Sequence, residues 1–344
     1  MAKKIESPVI RIGSKAIVLG MLFKADVANP NASWTEENVT PLKKIEAPDG
    51  SRYPYISGQA LRRYLRDTLE DNLEVGVDGN PLYTFSPQEL GTDPKSPILT
   101  AGRPDQYIDD DLLGFMRATK GKTRRRESPL RVSAGFGLFP YMGDRDLGTR
   151  SALQVTNNPE SGGAIFETEI TSNIFRSTWL LELDRVGRWR GYEDNSSKDE
   201  DLGASKELNI DERRKRVKAV LKALKYFSGG ARQTRLLIEF VPQFVIYARM
   251  KKKVPIFLNA LNVVPTDGGY VLNTASLREV VKDYAADIEK LVVGMRDGFL
   301  TNTATDAQTI INGLLSQEGT TELQVMSVGK AIEAMITDID SATF

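Results

Sequence analysis

Apolar runs that alternate with three amphipathic helical stretches, and one long ribbon that turns at a polar tip, predict an α+β fold for this chain. Residues 16–22 are apolar enough for a central strand, and 132–141 and 165–183 are also strand-like. Leu61, Leu65 and Leu69 recur every four residues, which places one helix face in a core. Residues 142–163 are rich in Gly, Asp, Asn and Pro, so the strands on either side form an extended β-hairpin.

Taken in order, residues 9–12 and 16–22 read as strands, followed by a polar loop with Pro30, Asn31 and Trp34. Pro54 keeps the chain extended, and Ser57 is a good N-cap for the helix that follows. Residues 76–128 read as an insertion: an irregular part, a short helix or turn at 109–118, and a flexible basic arm. Residues 134–175 make the hairpin. A basic helix over 210–226 buries Val217, Val220, Leu221 and Leu224, leaves Arg213 and Arg216 in the solvated remainder, and ends at Gly229 and Gly230. Residues 236–248 form one or two strands, and 276–295 a further helix with Leu277, Val281, Ile288 and Leu291 inward. The acidic segment 297–344 is expected to lie on the core or against another subunit.

Composition narrows the function. The chain has 344 residues, more than one compact core usually holds, yet no linker divides it, so one core with large insertions and two intimately joined domains both fit. It contains no histidine and no cysteine. That removes Ser-His-Asp and Cys-His nucleophiles and thiolate or histidine metal sites. No P-loop is present, no apolar run reaches the ~18 residues of a membrane span, and Met1-Ala2-Lys3-Lys4 precedes a strand without a signal-peptide core. Any chemistry would have to rest on carboxylates, lysine, tyrosine or serine with magnesium; composition leans instead toward a cytoplasmic binding protein with no catalytic residue, cofactor or metal, and leaves a carboxylate-only metal enzyme open. Formal net charge is zero, but residues 297–344 hold seven acids and one base, leaving 45 bases against 39 acids in the first 296 residues. Clustered bases matter more to a polyanion than the sum does.

Three clusters stand out. In the first, Ser57, Gly58 and Gln59 open a helix whose first acid is Asp67, with Arg62, Arg63 and Arg66 one turn on. A bare helix N-terminus backed by arginines suits a phosphate; the plain alternative is a solvated basic face. The second is Arg117, Lys120, Lys122, Arg124, Arg125, Arg126 and Arg131, opposed only by Glu127, which suits a phosphate backbone or simply water. The third is Gly229, Gly230, Ala231, Arg232 and Gln233, where paired glycines admit a ligand and Arg232 and Gln233 reach phosphates or 2′-hydroxyls; a helix cap explains Gly229 equally well. On the hairpin, Phe136, Phe139, Tyr141 and Met142 are either bases' stacking partners or core at its root.

Residues 53–71, with "YISGQALRRYLRDTLED", resemble the signature of the CRISPR Cascade backbone subunit family (the Cas-seven family, DevR type, of type I systems). Asp111-Leu112-Leu113-Gly114-Phe115-Met116-Arg117, Arg125-Arg126-Glu127-Ser128-Pro129-Leu130-Arg131-Val132 and Phe227-Ser228-Gly229-Gly230-Ala231-Arg232 resemble further family stretches in order, over about residues 8–250. The resemblance implies an RNA-recognition-motif-like (ferredoxin-like) palm with large insertions and a β-hairpin thumb over 134–175 carrying Phe139, Tyr141 and Met142. It implies an RNA-binding set of Ser57, Gly58, Gln59, Arg62, Arg63, Arg124, Arg125, Arg126, Arg131, Gly229, Gly230, Arg232 and Gln233. Expected partners are CRISPR guide RNA, copies of the chain along it, other Cascade subunits, and target DNA through the guide. One alternative is an RNA-cleaving subunit of a type III-like complex using Asp26, Asp144 or Asp146; another is an RNA-binding regulator outside CRISPR defence.

Overall fold

The computed structural model describes residues 13–90, 98–119, 122–150, 164–190, 205–267, 269–300 and 325–344. The strand expected at 9–12 and most of the hairpin tip lie outside them.

Among the described residues, nine strands make the main sheet: β1 (Ala16–Ala28), β2 (Lys44–Glu46), β3 (Arg52–Ile56), β4 (Leu130–Val132), β5 (Gly135–Gly137), β6 (Thr171–Glu182), β7 (Phe244–Met250), β8 (Ile288–Met295) and β9 (Val325–Met326). Their order is β9-β8-β7-β1-β6-β5-β3-β2, with β4 also on β6. β1 lies antiparallel to both β6 and β7, in register Leu19↔Trp179 and Leu19↔Tyr247. It is apolar on both faces because both are covered. Ile17, Leu19, Met21 and Phe23 face one core, and Ala16, Val18 and Leu22 face a second.

The first core is closed by α1 (Gly58–Asp71) and α3 (Ile210–Ala223), whose Leu61, Leu65, Val217 and Val220 meet Phe23, Phe175 and Trp179 of the sheet. Behind the sheet, Ile256, Phe257 and Leu261 join α5 (Thr274–Asp283) in the second core. α6 (Val328–Ser341) carries the end of the acidic segment. Its Ala331, Ile332, Met335 and Ile339 sit in the first core, and Asp338 accepts a 2.7 Å hydrogen bond from the Tyr247 hydroxyl.

Several sequence expectations need correction. The helix predicted over 276–295 stops at Asp283, and Ile288–Met295 is strand β8 against β7. Ile288, Val292 and Val293 are β-branched and bury well on a pleated surface, and the open edge of β7 decides the outcome. Arg213 and Arg216 do not face water: they are 1% and 2% exposed. Arg213 donates to the carbonyls of Leu183 and Val186, and Arg216 pairs with Asp111 at 2.8 Å. Finally, α3 ends at Ala223 with Leu224 as its C-cap, so Gly229 and Gly230 do not terminate it.

Within 76–128, α2 (Ile108–Leu112) holds three buried carboxylates in a row. Asp109 pairs with Arg66, Asp110 accepts from the Arg103 N–H, and Asp111 holds Arg126 and Arg216. The basic segment is no flexible arm. Phe115–Thr119 and Lys122–Arg126 pair as an antiparallel hairpin from Phe115↔Arg126 to Thr119↔Lys122.

Candidate nucleic-acid interface

Ser57 caps α1, its hydroxyl accepting from the Ala60 N–H at 3.2 Å, and no acid occupies the first turn. Gly58 is needed for a reason other than ligand access: a Cβ there would collide with the Val132 carbonyl oxygen of β4. Gln59 and Arg63 are exposed, and Arg63 forms a 2.9 Å pair with Asp67 one turn on. Arg62 leans the other way and donates to the Leu113 carbonyl at the root of the basic hairpin. Burial holds its guanidinium below its ordinary pKa, and among the described residues its Nε has no partner. Arg66 is buried between Asp109 and Glu70 and is no part of a surface.

The Gly-Gly loop lies on the other flank of α1, and Tyr64 joins the two. A Cβ on Gly229 would enter the Tyr64 ring, so close approach of ring and backbone requires glycine here. Tyr64 also stacks on Phe240 at 6.0 Å and donates to the Pro30 carbonyl at 3.0 Å. Burial pushes its hydroxyl up to about 12, against a hydrogen bond from the Gly230 backbone, so it remains a donor. Gly230 takes φ 107°, and the next N–H, of Ala231, donates to the Asn29 carbonyl at 2.9 Å. Arg232 is exposed in left-handed backbone, φ 59°, and donates to Thr40 Oγ1 at 3.3 Å. Gln233 is a correction: its carboxamide donates to the Gly229 and Ile238 carbonyls and accepts from the Ile238 N–H, so it closes its own loop.

The second cluster divides. Arg126 is 4% exposed; it meets Asp111 at 2.5 Å and donates to the carbonyls of Arg185 and Arg188. That takes it off the candidate surface. Arg125 is exposed, Arg124 donates to the Gly102 carbonyl at 3.3 Å, and Arg131 is exposed but paired at 2.5 Å with Glu182.

The long hairpin is rooted between β5 and β6, then continues as Arg145–Arg150 against Ala164–Glu169, with Val39–Thr40 parallel to the second strand. Phe139 belongs to the root: it packs against the second core, 4.8 Å from the Tyr270 ring, and so is not a free thumb contact. Tyr141 is half-buried, with its hydroxyl donating to the Asp144 carbonyl and Lys44 Nζ 4.4 Å from its ring. Met142 is 83% exposed. Asp146 pairs with Arg235 at 3.2 Å, and Asp26 with Lys24 at 2.7 Å.

Sequence reasoning missed the residues that assemble these parts. Arg235 donates to Thr168 Oγ1 at 2.7 Å and covers the Phe166 ring at 4.9 Å, fastening the loop to the hairpin. The buried Asn29 side chain donates to the Glu169 carbonyl at 3.0 Å, and the Asn29 backbone carbonyl takes the Ala231 N–H. The signal for Tyr64 was present, since an aromatic off the leucine stripe needs its own partner; Asn29 gave none. α1, the Gly-Gly loop, the basic hairpin and the long hairpin thus share one connected region. It displays the α1 N-terminus, Gln59, Arg63 and Arg232, with Arg125 on the adjoining hairpin.

The family model described as "CRISPR-associated negative auto-regulator DevR/Csa2" matches residues 17–274. A relative from Myxococcus xanthus (strain DK1622), "CRISPR-associated protein Cas7/Cst2/DevR", is 25% identical over 279 residues, which covers 77% of this chain and 81% of the relative. A solved chain of a "CRISPR RNA-guided surveillance complex, pre-nicking" aligns with TM-score 0.55 and 12% identity over 94% of this chain and 99% of that one. Another, of a "CRISPR RNA-guided surveillance complex", aligns with TM-score 0.50 and 15% identity over the same shares. At these identities the likeness to solved structures is one of fold.

Proposed function

The chain belongs to the CRISPR-associated DevR/Csa2 family, and from that premise we propose that it is a non-catalytic, guide-RNA-binding backbone subunit of a type I Cascade complex. Copies line up along the guide RNA, hold its phosphates, and leave its bases to pair with target DNA. Base pairing then reads sequence, so the protein needs preorganised backbone contacts and self-association. One observation carries the reading: Tyr64 holds an acid-free helix N-terminus against a glycine loop that presents Arg232. N–H groups at a helix start and exposed guanidinium groups both suit single-stranded phosphates.

The palm is proposed as RNA-recognition-motif-like. The order β7-β1-β6-β5, with α1 after β1 and α3 after β6 on one face, supports it. The hairpin around 145–169 is the proposed thumb, meeting a neighbouring copy. Asp146 is engaged by Arg235, and Asp26 by Lys24 and the Ser172 hydroxyl, which favours salt-bridge roles over catalysis for both. We place the working complex in the cytoplasm; no helix among the described residues is long and apolar enough to cross a membrane.

Expression with a guide array and affinity purification tests the proposal. Recovery in a nuclease-sensitive, multi-copy particle is expected, and recovery as free monomer without RNA would overturn it. Regularly spaced cuts in complementary RNA with magnesium would overturn the non-catalytic part.

A further inference from the structure

Leu237 is held where a leucine is least at ease. Its backbone is left-handed, φ 42° and ψ 74°, a region that branched side chains rarely adopt, and its side chain is 88% exposed. Both neighbours are anchored: Leu236 rests against the first core and Ile238 is 5% exposed. The Gln233 carboxamide ties Ile238 back to Gly229, and the Leu237 N–H donates to the Gln233 carbonyl at 3.0 Å. The surroundings therefore over-determine a strained backbone that presents an apolar side chain to solvent. Strain fixed in this way concentrates at ligand contacts.

The flanking charge says what kind of ligand fits. Arg232 is exposed as the N-cap of the short helix α4 (Gln233–Leu236), Arg235 lies in its last turn facing Asp146 of the long hairpin, and residues 229–238 contain no acid. An apolar knob among guanidinium groups complements a polymer with flat apolar faces on an anionic backbone. Single-stranded RNA has that chemistry, whereas an apolar protein surface matches only the knob.

We propose that Leu237 packs against the face of an unpaired nucleobase of single-stranded RNA whose phosphates are held by Arg232 and the start of α1. The proposal rests on the RNA-binding reading above and adds a base contact to a surface otherwise read as binding the backbone.

The test uses the full chain with Leu237→Gly and Leu237→Asn, two residues that tolerate left-handed backbone, so the thermal midpoint should hold or rise. Binding is titrated against an unstructured single-stranded RNA and against the same strand made abasic throughout. The wild type should prefer the intact strand. Each variant should lose about tenfold on the intact strand and nothing on the abasic one, with an unchanged salt slope because no phosphate contact is removed. Equal losses on both strands would place the effect in loop shape and overturn the base contact. No loss on the intact strand would overturn it too, including the case where only assembly with other copies suffers, since the leucine would then be a protein contact. Failure of the wild type to bind either strand would overturn the RNA-binding reading itself, and this inference with it.

Discussion

At the scale of residues, arginines that look alike in the sequence have opposite jobs. Arg125 and Arg126 are adjacent, yet one is exposed and the other is sealed against Asp111. Arg126→Ala should destabilise the fold by about 3–5 kcal/mol, because Asp111 loses one of its two buried cation partners. Arg125→Ala should leave urea unfolding unchanged, and equal midpoints for the two variants would contradict the assignment. Glu182 gives a pH-dependent companion. Burial pushes its carboxyl up, but Lys253, Arg185 and Arg131 outweigh burial and hold it below its ordinary value. A lowered folded pKa means that this stabilisation is complete above the ordinary carboxylate range and is lost as pH falls through the folded value. Unfolding midpoints of wild type and Glu182→Gln should therefore differ most near neutrality and converge in acid. A constant difference would show that the charge is not the cause.

At the scale of elements, α1 was legible and the basic segment was not. The leucine period, the Ser57 cap and the missing first-turn acid are local facts, and each reappears in the structure. The hairpin Phe115–Thr119 with Lys122–Arg126 depends on what the turn before it packs against: Arg62 grips the Leu113 carbonyl, and Asp111 grips Arg126. Neither contact is visible in a run of like charges. The helix over-extended to residue 295 failed for a related reason, since a strand's partner lies far away in the chain. Met142, where the polar tip of the long hairpin begins, is 83% exposed. Removing residues 143–162 should leave circular dichroism native while RNA-bound oligomers shorten or vanish. An unchanged ladder of oligomers would show that the hairpin does not link subunits.

For the whole molecule, the arrangement brings sequence-distant parts to one side of the first core. Residues 29–31, 57–64 and 229–238 meet through Tyr64 and Asn29, and Arg235 ties them to the hairpin at Thr168. The sequence announced the three basic clusters but not their division of labour, because burial is settled by partners that spacing does not reveal. The central claim is that Arg63 and Arg232 belong to one surface that binds RNA phosphates. The direct measurement is affinity for single-stranded RNA against salt, for wild type and the Arg63→Ala, Arg232→Ala double variant, on several sequences. Loss of two phosphate contacts should reduce the slope by about 1.4, at about 0.7 per contact, by the same amount on every sequence. An unchanged slope would return both arginines to an ordinary solvated surface and contradict the claim.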